Sequence, residues 1–196
     1  MRVPALVLTL LPTLFLASGA AYAKGGKGDG KPTTIEGALA DAESALDAGR
    51  LGDAMSEAEK LQKTHGLTKE ERSRLDLVIA RCDLFTGKYD ASEKLFARMS
   101  KQSPDDTRLA EWYARALEGA GKDDAAFSLL NTLAQKDALQ DGDSYWALAQ
   151  LERKKGDDSN ARAHAKLALE KPIVLQSEEL DHAIHKFIDD LAPKTK

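Results

Sequence analysis

The chain has 196 residues, of which 42% are hydrophobic and 31% charged, with a formal net charge of −4. That mildly acidic balance gives no general electrostatic reason to bind nucleic acid or an anionic membrane, though local basic surfaces stay open. A single cysteine, Cys82, excludes an internal disulfide and sits in an apolar helical stripe, as a buried spacer would.

In chain order, residues 1–23 read as a cleaved signal peptide. Arg2 supplies a positive start, and the apolar run over 5–17 is shorter than the roughly 20 residues of a transmembrane helix. Ala21-Tyr22-Ala23 before Lys24 has the small-x-small form of a processing site. Residues 24–34 form a glycine-rich, polar stretch without apolar period, the composition of a flexible leader. The expectation is a periplasmic or secreted protein with no integral membrane segment after processing.

From Ile35 onward apolar residues recur at helical spacing, as in Ile35, Ala38, Leu39, Ala42 and Leu46, and again in Leu75, Val78, Ile79, Cys82 and Phe85. No segment alternates as a strand would. The spacing predicts nine helices, near 35–48, 51–64, 69–85, 89–101, 107–119, 123–135, 143–155, 159–170 and 176–191. Thr33 with Glu36, and Thr68 with Glu71, have the spacing of a capping box. Asp106, Asp123, Asp158 and Ser177 can cap other helix starts.

A longer period overlies the helical one. Glycines between paired helices fall at 49, 87, 121 and 156, in steps of 38, 34 and 35 residues. Five positions after each comes a small residue, Ala54, Ser92, Ala126 or Ala161, which lets two antiparallel helices approach closely. Larger residues downstream, Phe96, Leu130 and Leu133, fill the space toward the next unit. The glycine suits the positive backbone angle that ends the first helix.

This pattern resembles the tetratricopeptide repeat (TPR) family, a helix-turn-helix unit of about 34 residues. The residues that carry it are Ala80, Gly87, Tyr89, Ser92, Phe96 and Pro104 in one unit. In the next they are Tyr113, Ala114, Leu117, Gly121, Ala126, Leu130 and Leu133, and then Tyr145, Leu148, Ala149, Gly156, Ala161, Ala165, Ala168 and Pro172. A degenerate first unit keeps Gly49, Ala54, Ala58 and Leu61. The resemblance implies an all-α, right-handed superhelical solenoid with units at about 35–65, 73–106, 107–141 and 142–172. Residues 173–196 would then be a capping helix and tail.

It also implies a concave face lined by the first helix of each pair, at Arg74, Leu77, Arg81, Leu84 and Phe85, then Arg108, Glu111, Arg115, Glu118 and Gly119, then Asp143, Trp146, Gln150, Arg153 and Lys154. Of these, Arg74, Leu77, Arg81, Phe85, Arg108, Arg115, Trp146, Gln150 and Arg153 are the expected partner-binding residues. Four arginines there would suit an acidic protein or peptide. The alternative is local pairing of Arg108, Glu111, Arg115 and Glu118 along one helix. Trp112 reads as core or inter-repeat packing. The lysine and asparagines that clamp a terminal carboxylate in the family are not evident at matching positions.

Reactive groups do not converge. His182 and His185 fall short of a zinc ligand set, no serine sits in a nucleophile elbow, and no phosphate-cradling glycine loop is present. Asp137, Asp141 and Asp143 suit a turn cap or a solvated loop better than a calcium site. No enzyme, cofactor or metal is expected. The sequence favours a protein-interaction scaffold or adaptor of the bacterial periplasm or envelope, binding through the concave face. The alternatives are a structural homo-oligomer and a small-ligand-binding protein.

Overall fold

The computed structural model describes residues 34–173 and 177–193. The expected signal peptide and leader, up to residue 33, and with them Thr33 of the first expected capping box, lie outside the described residues. Within them the chain forms nine helices: α1 (Ile35–Asp47), α2 (Leu51–Gln62), α3 (Lys69–Phe85), α4 (Tyr89–Gln102), α5 (Thr107–Gly119), α6 (Asp123–Gln135), α7 (Gly142–Lys154), α8 (Asp158–Glu170) and α9 (Glu178–Asp190). These fall within two residues of the expected bounds.

The helix starts show what punctuation can and cannot specify. At α3 the capping box closes: Thr68 Oγ1 accepts from the Glu71 N–H at 3.1 Å, and the Glu71 carboxylate accepts from the Thr68 N–H at 2.8 Å. Asp106 and Ser177 cap α5 and α9 as expected. Three other assignments are corrected. Thr34, not Thr33, caps α1 by accepting from the Gly37 N–H, which leaves the Glu36 side chain for another partner. Lys122 takes the cap position of α6 without a side-chain bond, and Asp157, not Asp158, caps α8.

The reason is the turn that joins each pair. Gly49, Gly87, Gly121 and Gly156 adopt φ of 71°, 78°, 74° and 81°, a left-handed conformation that closes the first helix. The residue after each glycine then donates its N–H to a carbonyl five positions back: Arg50 to Ala45, Lys88 to Asp83, Lys122 to Leu117 and Asp157 to Glu152. That residue is the last closing group of one helix and the cap of the next, so the following acid sits in the first turn. There its charge still complements the helix dipole.

The small residues behave as their position demands. Ala54, Ser92, Ala126 and Ala161 are fully buried where paired helices meet, and Ser92 satisfies its hydroxyl by donating to the Ala80 carbonyl at 2.8 Å. Phe96 and Leu130 fill the space beyond them and are fully buried. Each large apolar side chain so placed contributes about 1.5–3 kcal/mol. Cys82 is a buried spacer, and burial raises its thiol pKa, which keeps it protonated and unreactive.

Successive first helices touch one another: α1 meets α3, α3 meets α5, and α5 meets α7. The second helices make no comparable contact among themselves. A stack whose first helices lie closer together than its second helices curves toward the first, so α1, α3, α5 and α7 form the inner face. α9 closes the end by burying Ile184 and Phe187 against the last pair and leaving Glu178, Glu179 and Asp181 at its water-facing start.

Candidate binding face

Arg74 and Arg81 on α3 are seven residues apart, as are Arg108 and Arg115 on α5 and Glu36 and Glu43 on α1. Seven residues are close to two helical turns, so each pair projects from one side of its helix. Stacking brings these sides together. The Arg74 guanidinium donates to both oxygens of Glu43, at 2.8 and 2.7 Å, and to both oxygens of Glu36, at 2.8 and 2.7 Å. Its hydrogen bonds to Glu43 and then to Glu36 raise its pKa further above the ordinary arginine value. Arg81 reaches Asp47 at 3.1 Å, and Arg115 reaches Asp143 at 3.2 Å. Arg108 lies 3.3 Å from Asp141.

The four arginines are therefore not a row of bare cations. Arg74, Arg81 and Arg115 cross to carboxylates of neighbouring units, Arg108 meets Asp141 in the connection into the next unit, and the pairs help fix the angle between units. Of the intrahelical alternatives, Arg108 to Glu111 forms only at 3.9 Å, while Arg115 turns to α7 instead of Glu118.

Trp112 is the centre of this face. It is buried, with Phe96 stacked at 6.4 Å and Phe85 edge-on at 5.7 Å. The guanidinium carbons of Arg81, Arg108 and Arg115 lie 4.3, 5.3 and 5.6 Å from its ring centroid, and Arg115 also sits 5.5 Å from the Phe85 ring. Among the described residues, the buried Arg81 Nε and Arg115 Nη1 have no hydrogen-bond acceptor. The electron-rich ring faces stand in for one. Burial lowers the Arg81 pKa, and the nearby Arg108 charge adds to that against the opposing pull of Asp47.

Beside Trp112 lies a cavity of about 300 Å³, lined by Leu77, Arg81, Met99, Arg108, Leu109 and Trp112 among others. It opens between α3, the end of α4 and the start of α5. Its size is at the low end of ligand sites, with room for a side chain or two. Of the residues expected to bind a partner, Leu77, Arg81 and Arg108 line this one cavity, whereas Arg74 is committed to α1 and Phe85 packs against Trp112.

The expected residues of α7 are placed differently. Trp146 meets Phe187 of α9 edge-on at 4.9 Å, Arg153 lies 4.9 Å over the same ring, and the Gln150 amide turns to the Trp146 carbonyl at 3.5 Å. The capping helix covers this end of the face, so these three do not join the cavity.

Below the face, Glu111 is fully buried. Its carboxylate accepts from the Gln140 N–H at 2.6 Å and the Ser144 hydroxyl at 3.1 Å, beside the buried Asp141. Burial, and then the Asp141 charge, raise its pKa to about 7. Asp141 caps α7 through the Ser144 N–H at 2.7 Å. Sequence reading missed Asp47, Glu36, Glu43 and Asp141 as partners of the arginines. The matching seven-residue spacings of acids on α1 and arginines on α3 were the available signal.

No protein-family model matches the sequence, and no curated protein matches it. Solved structures do. A tetratricopeptide repeat protein from Parabacteroides merdae ATCC 43184 superposes with a TM-score of 0.59 at 17% identity, over 82% of this chain and 59% of that one. The chain has the tetratricopeptide repeat fold. Two structures of MamA share it: MamA AMB-1 at a TM-score of 0.55 and 18% identity, over 79% of this chain and 84% of that one, and MamA MSR-1 at 0.57 and 18%, over 80% and 84%. At these identities the likeness is one of fold, and this chain spans about three fifths of the Parabacteroides protein.

Proposed function

We propose that this TPR-fold protein is a non-enzymatic scaffold or adaptor of the bacterial envelope, periplasmic or secreted, that holds a partner protein against its inner face. The observation that carries the reading is the convergence of Leu77, Arg81, Arg108 and Trp112, from two units, on one cavity. Alkyl, indole and guanidinium groups are the chemistry of recognition: a desolvated apolar floor with cationic donors at its edge. The envelope location rests on the signal-peptide reading of residues 1–23.

A photo-cross-linking residue placed at Leu77, on the inner face, is compared with one at Lys94 on α4, an exposed position of a second helix. In the native envelope the Leu77 probe should capture a defined partner and the Lys94 probe should not. Capture through Lys94 alone would move binding to the outer face. N-terminal sequencing of the mature protein should start at Lys24, and a retained Met1 would remove the envelope reading.

A further inference from the structure

The inner face is bridged unevenly. Between α1 and α3, Arg74 and Arg81 each meet a carboxylate of α1. Between α5 and α7, Arg115 meets Asp143, and Arg108 meets Asp141 in the connection leading into α7. Between α3 and α5, among the described residues, no carboxylate bridges the two helices. There the cavity opens, and Arg81 from one wall and Arg108 from the other both approach Trp112. Two like charges face a shared gap: Arg108 has its carboxylate, Asp141, outside the cavity, while Asp47, the partner of Arg81, stands at the cavity's α1 edge.

The donors on the cavity side are available. The Arg108 side chain is 42% exposed and makes no hydrogen bond among the described residues, only charge contacts of 3.3 and 3.9 Å. Asp47, the partner of Arg81, is 66% exposed, so an incoming anion can compete with it at little desolvation cost. Two acids line the cavity: Asp47, paired with Arg81, and Asp106, occupied in capping α5 through the Leu109 N–H at 2.9 Å. Leu77, Met99, Leu109 and the Trp112 edge supply an apolar floor.

We propose that this cavity takes an acidic side chain of a partner protein, its carboxylate seated between Arg81 and Arg108 and the neighbouring apolar side chain of the partner on Leu77, Leu109 and Trp112. The bound carboxylate supplies the bridge that α3 and α5 lack, so occupancy tightens the junction of the second and third units. This inference rests on the reading of the inner face as the binding surface and names the chemistry recognised there. The carboxylate gains charge-assisted bonds from guanidinium donors that neutral ligands cannot recruit to the same degree.

The test uses a blocked hexapeptide of alternating leucine and glutamate, and its leucine–glutamine counterpart, titrated into the mature protein. Indole resonances of Trp112 and Trp146 report where each binds, and calorimetry reports affinity. The glutamate peptide should shift Trp112 and not Trp146, bind about tenfold tighter than the glutamine peptide, and weaken as salt rises. Arg108→Gln should remove that preference. Because Arg108 also touches buried acids, Asp47→Asn is the second variant: it frees Arg81 at an exposed site and should tighten the glutamate peptide several-fold, a gain that loss of folding cannot mimic. Equal affinity of the two peptides, or no gain in Asp47→Asn, overturns carboxylate recognition. Binding that shifts Trp146 but not Trp112 overturns this cavity while leaving an inner-face scaffold standing.

Discussion

The Glu111 carboxylate accepts a 2.6 Å hydrogen bond from the backbone N–H of Gln140, 29 residues away in the connection between α6 and α7. A fully buried acid thus anchors the loop that delivers the next unit. The groups facing it are Asp141, Ser144 and Tyr145 from the α7 side and Arg108 from its own helix.

That environment makes stability depend on pH in a definite direction. Folded Glu111 keeps its proton up to about pH 7, whereas the unfolded chain releases it near the ordinary value of about 4.3. Between those limits the folded state binds more protons, so this site's contribution falls as pH rises and is lost above the upper limit. The loss is at most roughly 4 kcal/mol. Glu111→Gln is the neutral counterpart, with a similar shape and no proton to lose in this range. Urea denaturation of both proteins at pH 5 and pH 8 should show the variant's advantage growing at the higher pH. A constant difference between them would mean that Glu111 does not titrate in this window.

Gly142 opens α7 in a place where a Cβ would run into the Ala168 carbonyl and the Ile173 side chain, while its N–H donates to the Pro172 carbonyl at 2.8 Å. Two of its three near neighbours are backbone oxygens, which cannot swing aside. Gly142→Ala should therefore cost about 1–3 kcal/mol although alanine is the better helix former. Thermal unfolding followed by circular dichroism measures this, and a variant as stable as the parent would show that the α8–α9 connection yields freely.

At the helix pairs, Ala126→Leu and Ala161→Leu add bulk where nothing is exposed. Each should destabilise by about 1–3 kcal/mol through overpacking. The matched control is Ala163→Leu, on the exposed side of α8, which should stay within about 0.5 kcal/mol of the parent. Equal effects at buried and exposed positions would be incompatible with close approach of the paired helices.

The Arg74 bridge offers a test of whether inter-unit ion pairs stabilise the stack. Both side chains of the Arg74–Glu43 pair are 36% exposed, so solvent screening limits its worth despite the bidentate geometry. A double-mutant cycle of Arg74→Ala and Glu43→Ala should give a coupling of about 0.5–1 kcal/mol that shrinks in high salt. Zero coupling at low salt would leave the packing of α1 on α3 to apolar contacts alone.

Much of the architecture was legible in order along the chain. Helical spacing of apolar residues gave the helices, and the near-regular return of Gly49, Gly87, Gly121 and Gly156, each followed by a small residue, gave the paired units, because local backbone geometry and close packing both act over a few residues. Even so, the exact cap at α6 and α8 was misplaced by one residue. The hydrogen bond from the residue after the glycine, which decides it, belongs to the turn and not to the acid that follows.

What the inner face does with its charges was decided by tertiary structure. The sequence placed Arg74, Arg81, Arg108 and Arg115 on one side of their helices, which is a matter of helical period. Which of them meets a carboxylate, an indole or an open cavity depends on the offset between stacked units, and that offset is set by the combined packing of α4, α5 and Trp112 between them. The same holds for Trp146: its helical position pointed it toward a partner, and the arrival of Phe187 from α9 covered it instead. Contacts between residues dozens of positions apart are fixed only when every intervening element has taken its place.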